Sequence, residues 1–577
     1  MKSTINCWRT KVQQAGTVQK FVAKHQPDVD ALVDAFTAGI SSSAKATAGR
    51  YATNILKVLE AENDLEMLVV VLNALEYAIA SDRDAPSARG AAQRFGFRLA
   101  DFLMRIGGAK LAQALHSYDE TPSAWKVGLG RSKDAVEAMS DEDFTAEARR
   151  QLPSAMLSAL DSGDLVIGEH IGAGAYLDTR ALAISVDYRR GNRLYRGVPD
   201  DAEFVLQLVK PQAPERARKV YDVTLRLLGM QESGKRVAAI GAEALVLIIE
   251  HYRDMLDEET NLEAARDKAA QLSRMAKQFT ISLEDNTALV RVVGKPKQAS
   301  IRFQAAGMFE AGPRFRVSTR MKGVHFKDMP QRTADEKLVK FFVAIACFMR
   351  HLRFLLSGKP FNHDPHAANL RAVVVTNSSS LVEIVVGEFD ELGICRAPTE
   401  RQMRIFGDML MDAVGCALHY GIDLNETIKE AFSIVAVRMR RGDDKVHSML
   451  KTLMTISDYQ SYIDWYTGNP LTNAAVYLQM LQGLAASDSV HPTLREVFGT
   501  RFAAIQLLLK PKSATTAEAR ALLLSEQTRV NEWYPMNTSL TGLATLMKLA
   551  QGVVFKRAAS NAERKTMKKY RFIPAEA

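Results

Sequence analysis

Apolar residues in the first 160 positions recur every three or four residues. "NILKVLEAENDLEMLVVVLNALEYAIA" and "AAQRFGFRLADFLMRIGGAKLAQAL" show it most clearly, so this region is expected to be helix after helix. Near residue 163 the period changes. "DLVIGEHIGAGAYLDTRALAISVDYRRGNRLYRG" alternates around a glycine turn and "AEFVLQLVKP" follows, which predicts three antiparallel strands. Helices are expected again through "ERARKVYDVTLRLLGM" and "GAEALVLIIEHYRDMLDEETNLEAARDKAAQLSRMAKQF". Short strands are predicted at "ALVRVVG", "ASIRFQ" and "RFRVSTRM", then a long helix over 334–356. A polar loop and an apolar strand, "LVEIVVGEFDELG", come next. From about 398 onward the pattern is helical, broken at "YTGNP", "SDSVHP" and "LKPKSATT".

The pattern gives a mostly helical α+β chain in four parts. Residues 1–160 form a helical extension, 161–325 a small sheet-bearing lobe, 326–425 a core carrying polar loops, and 426–577 a helical region. At 577 residues more than one core is expected. No apolar run reaches the ~18 residues needed to span a bilayer, and the N-terminus lacks the apolar stretch of a secretory signal. Cys7, Cys347, Cys395 and Cys416 are far apart, which fits a reducing, cytoplasmic setting better than a disulfide or zinc framework. The net charge of +9 is spread along the chain except in the tail "KRAASNAERKTMKKYRF". Aromatics do not cluster with the basic residues, so nucleic acid is not the expected partner. Peripheral contact of the tail with an anionic membrane is the better expectation.

The candidate chemistry lies in "KPFNHDPHAANLRAVVV", residues 359–375. Phosphoryl transfer needs magnesium on the phosphates, a carboxylate near the acceptor and positive charge around both. Magnesium takes oxygen ligands. Asp364, Asn369 five residues on, and Glu388 or Asp390 at the end of the next strand could converge on one ion. The same residues also suit a hydrogen-bonded turn between strands. His363 and His366 lack further ligands nearby for a zinc site.

In these residues the chain resembles the ABC1/UbiB family of atypical kinases, whose loop reads H-x-D-P-H-x-x-N. "KLAQ", Lys110 to Gln113, is similar to the family's K-x-G-Q helix. "IGAGAYLDTRAL" stands where the family has an alanine-rich nucleotide loop, here Gly172, Ala173, Gly174 and Ala175. "DEETNLEAA", with Asp257, Glu259 and Glu263, resembles its E-x-D motif and following EA pair. The resemblance implies a protein-kinase-like bilobal core, a small antiparallel sheet lobe on a helical lobe, with the N-terminal extension over the active site. It implies ATP and Mg2+ as cofactors, Asp364 as the catalytic aspartate, and Asn369 as a metal ligand. Lys110 and Gln113 would lie over the nucleotide, and the substrate would be a small or isoprenoid-lipid-like molecule.

The chain also departs from that pattern. Gln207 stands where the family's strand lysine grips phosphate, which removes a charge-assisted contact. Lys210, three residues on, faces the other way by strand alternation unless a bulge intervenes. The D-F-G motif reads Glu388-Phe389-Asp390, and the histidine opening the loop is Asn362. Two functions follow: an ATPase or phosphotransferase, or a pseudokinase that senses nucleotide as a scaffold for a protein or membrane partner.

Overall fold

Alternation of apolar residues from Leu165 to Val209 builds the first sheet. In the computed structural model strands β1 (Leu165–Ala173), β2 (Leu177–Ile184), β3 (Phe204–Val209), β6 (Met308–Gly312) and β7 (Phe315–Thr319) are antiparallel in the order β1-β2-β3-β7-β6. Phe204, Leu206, Leu208, Phe315 and Val317 point to one face. They pack on Phe144, Ala148, Met156 and Ala159 of the helices Asp141–Gln151 and Ser154–Ser162. The opposite face carries the cross-strand row Thr179, Gln207, Arg316. A short helix, Val186–Gly191, interrupts the run expected to be strand, capped by the Ser185 hydroxyl on the Tyr188 N–H.

The structure describes residues 2–38, 53–83, 90–117, 123–134, 138–229, 249–250, 253, 256–257, 259–277, 280–282, 298–378, 381–388, 394–421, 423–425, 427–428, 431, 444–468 and 474–530. The strand expected at 288–294, the basic tail at 556–572 and Asp390 lie outside them.

A second sheet runs β4 (Thr280–Ser282), β5 (Gln298–Ala305), β11 (Leu381–Glu388), β10 (Leu370–Asn377), β8 (Val324–His325). β5 and β11 pair in parallel from Gln298 opposite Leu381 to Ala305 opposite Glu388. Ala299, Ile301 and Phe303 therefore belong to the core of the second part. The pairing crosses the boundary expected at 325/326: alternation identifies a strand but not its neighbour, and β5 finds its partner some 80 residues downstream.

The centre of that core is the helix Ala334–Leu356, apolar nearly all round and opened by a capping box between Thr333 and Glu336. Helices Glu400–Tyr420, Asp444–Thr455, Ser457–Thr467, Ala474–Ala485 and Pro492–Leu509 extend the same core. The N-terminal helices form their own core around Phe21, Leu59, Leu68, Leu72 and Ala100. Val220, on the helix Ala213–Gly229 that follows β3, is buried in it. That contact joins the extension to the first sheet. Among the described residues the chain is thus mostly helical, with two five-stranded, mainly antiparallel sheets and a two-stranded one. No described helix is long and apolar enough to cross a membrane.

Candidate functional site

The polar loop lies between β9 (Phe361–Asn362) and β10, and its own side chains shape it. The Asp364 N–H donates to Asn362 Oδ1 at 2.8 Å, and Asn369 Nδ2 donates to the Asp364 carbonyl at 3.0 Å. Asn362 stands where the resemblance has histidine, and it fixes the loop as an Asx turn. Two C-terminal helices hold the loop from below. Thr452 Oγ1 donates to the Asn362 carbonyl at 3.1 Å and the buried Tyr459 hydroxyl to the Pro365 carbonyl at 3.0 Å. His363 Nδ1 lies 3.3 Å from Cys395 Sγ.

One residue before Thr452, Lys451 brings Nζ to 3.4 Å from Asp364 Oδ2. Burial alone would push the Asp364 carboxyl up. The charges of Lys451, His366, Lys110 and His363 outweigh it and hold Asp364 well below the usual carboxylate range. Asp364 is therefore ionised, and the charge of Lys110 reaches it from a helix some 250 residues earlier in the chain.

Lys110 sits on the helix Ala109–Ser117, which follows a left-handed Gly107 (φ 97°). A side chain there would stand 3.0 Å from the Ala217 backbone nitrogen, so glycine permits the close seating of the extension. Lys110 Nζ is 3.2 Å from Glu259 Oε1. Gln113 Nε2 donates to the Ser132 carbonyl at 2.9 Å and so braces the extension internally. Glu263 is exposed, and Asp257 pairs with Arg218.

Gly172 and Ala173 end β1, and the turn closes with the Gly174 N–H on the Leu177 carbonyl at 2.8 Å. Open space lies where a side chain would stand at Gly172, and at Gly174 it would just touch the Leu177 carbonyl oxygen at 4.0 Å. Ala175 and Tyr176 pack on Ala217 and Tyr221, with the two tyrosine hydroxyls 2.8 Å apart. Lys210 is buried, and its Nζ donates to the Gly174 carbonyl at 3.0 Å. The β2–β3 register is unbroken from Val209 to Phe204, so no bulge brings it there. Lys210 lies just past the strand end, where its N–H bonds the Tyr176 carbonyl at 2.8 Å and alternation no longer applies. Gln207 donates to Thr179 Oγ1 at 2.9 Å and accepts from the buried Arg316 guanidinium.

Glu388 ends β11 with its carboxylate turned into the core. It pairs with Arg350, and the two side chains are only 4 % and 1 % exposed. Arg350 also lies over the Phe303 ring at 4.1 Å, and His351 Nε2 is 3.7 Å from Glu388 Oε1. Burial first, then the Arg350 charge, hold His351 well below its ordinary value, so it is neutral. Among the described residues no three His, Cys, Asp or Glu side chains form a metal-holding group.

The fold thus pairs Lys110 with Glu259 and brings the Lys110 charge to bear on Asp364. The glycine turn, Tyr176 and Lys210 meet the same helix, Ala213–Gly229, against which the Lys110 segment packs. Glu388 is directed elsewhere. Lys451, Arg316 and Arg350 are not singled out by the sequence. Each sits in an ordinary helix or strand pattern and gains its place only through tertiary contact.

No protein-family model and no curated protein matches this chain. A solved structure, the complex of Rv3197 with erythromycin from Mycobacterium tuberculosis, aligns at 11 % identity over 56 % of this chain and 87 % of that one. Its TM-score is 0.24, a likeness too slight to carry an argument about fold or activity.

Proposed function

We propose that the chain is a divergent ABC1/UbiB-like atypical kinase with a bilobal core. On this reading it binds Mg-ATP and acts as an ATPase or phosphotransferase on a small or lipid-like molecule. The observation that carries it is the ion pair of Lys110 with Glu259, 3.2 Å apart, together with the Lys110 charge acting on Asp364; the three residues belong to separate motifs. A polar turn of purely structural use has no reason to draw in a lysine from the N-terminal extension. The open space beside Gly172 adds support, since it leaves room for a phosphate to approach the backbone there.

Asp364 and Asn369 offer a carboxylate and an amide oxygen of the kind magnesium takes, and they would hold the ion. When bound, magnesium neutralises charge on phosphate oxygens. The chain's own residues do the positioning. Asp364, kept ionised, accepts a hydrogen bond from the acceptor hydroxyl and orients it. The Asn369 bond to the Asp364 carbonyl holds the two ligands at fixed separation. The glycine turn covers the phosphates. A cytoplasmic setting with peripheral membrane contact suits a lipid-like acceptor.

A second reading, a nucleotide-sensing scaffold with weak catalysis, draws on Glu388. Its carboxylate is bound to Arg350, so one expected ligand is spent on the core. Thermal melting in Mg-ATP or Mg-ADP tests the binding shared by both readings, since a ligand of the native state raises Tm by mass action. The Tm rise should lose its magnesium dependence in Asp364→Asn/Asn369→Ala. An unchanged rise in that variant refutes the metal assignment. Phosphate release by the wild-type chain, absent in Asp364→Asn, separates enzyme from scaffold.

A further inference from the structure

We infer that Lys451 is the phosphate-gripping cation of this site, held on Asp364 until a metal ion displaces it. This rests on the nucleotide reading above and names the group that serves where Gln207 cannot. The cations near the glycine turn and the extension have other engagements. Lys210 donates to the Gly174 carbonyl, Lys110 pairs with Glu259, and Arg316 donates to Gln207. Lys451 meets the carboxylate that would take the metal, Nζ to Oδ2 at 3.4 Å, and a quarter of its side chain remains exposed (24 %). Its helix, Asp444–Thr455, is anchored at the next residue, where Thr452 bonds the Asn362 carbonyl, and Tyr459 on the following helix, Ser457–Thr467, bonds the Pro365 carbonyl. The stem is thus fixed relative to the loop, while the ammonium rotates on a flexible four-carbon arm.

A divalent ion on Asp364 and an ammonium on the same carboxylate repel each other. A divalent ion held by Asp364 would displace the ammonium, and Lys451, on its flexible arm, would then pair with a phosphoryl oxygen of the accompanying anion. No bond is made or broken; the lysine exchanges one anionic partner for another.

This makes two expectations of opposite sign. Lys451→Met keeps the stem and removes the charge. Mg-ATP affinity should fall about tenfold, the value of a charge-assisted contact. Affinity for Mn2+ alone, read by titration calorimetry without nucleotide, should rise several-fold because its competitor is gone. Lys451→Arg should retain most of the Mg-ATP affinity, and Tm in the absence of ligand establishes that the variants fold. Wild-type affinity for both probes in Lys451→Met, or a parallel loss of both, overturns the inference while leaving nucleotide binding in place. A wild-type chain that binds neither Mg-ATP nor Mn2+ overturns the underlying reading as well.

Discussion

Arg350→Met is the most informative single change in the core. Arg350 and Glu388 are buried together, with side chains 1 % and 4 % exposed, and Phe303 lies 4.1 Å from the guanidinium. Methionine fills much the same volume but leaves the Glu388 carboxylate alone in an apolar surround. Removing one partner of a buried pair costs about 3–5 kcal/mol, and the lost contact with Phe303 adds roughly 1 kcal/mol. Hydrogen exchange over Ala334–Leu356, followed by mass spectrometry, reads this locally and does not require the whole chain to unfold in one step. At about 1.4 kcal/mol per factor of ten, the summed cost of about 4–6 kcal/mol should lower protection roughly 10³- to 10⁴-fold. Arg350→Met/Glu388→Met removes both charges and should regain most of it, because a well-packed apolar pair can replace a buried ion pair. Wild-type protection in the single variant, or no recovery in the double, refutes the view that the pair is held by burial and charge. The double variant also bears on the metal. Kept magnesium dependence of the nucleotide Tm shift leaves the ion to Asp364 and Asn369, and lost dependence puts Glu388 on it.

His351 is held neutral when folded, so below its unfolded pKa of about 6.5 the unfolded chain takes up a proton that the folded chain refuses. Stability is therefore complete above that pH and falls as pH drops through it; His351→Leu should flatten the decline in Tm between about pH 6.5 and 5. Gln207→Lys sets an ammonium beside the buried Arg316, so it should lower Tm without raising Mg-ATP affinity; Gln207→Lys/Arg316→Gln should recover the Tm, and a stable, tighter-binding single variant refutes this. Gly323 has φ 104°, and a side chain would stand 2.3 Å from the Ala372 carbonyl oxygen; Gly323→Ala should cost roughly 2 kcal/mol or more, seen as a lower Tm.

The sequence by itself determined the order of elements. Helical spacing marked the N-terminal extension, alternation marked β1 to β3, and the all-apolar run marked the buried helix Ala334–Leu356. These are properties of short windows, set by backbone period and burial of one face. The sequence also marked the residues of the polar loop, because the chemistry of an aspartate, a proline and an asparagine at close spacing is local. It did not determine which strands pair. β5 joins β11 in parallel across the expected boundary, since hydrogen-bond partners are chosen by the packing of whole layers. It did not assign the charges to one another either. Lys451 reaches Asp364, Arg350 takes Glu388, and Lys210 reaches Gly174 only once helices and strands are stacked. An ion pair depends on a few ångströms between side chains far apart in the chain, and only the tertiary structure sets that distance.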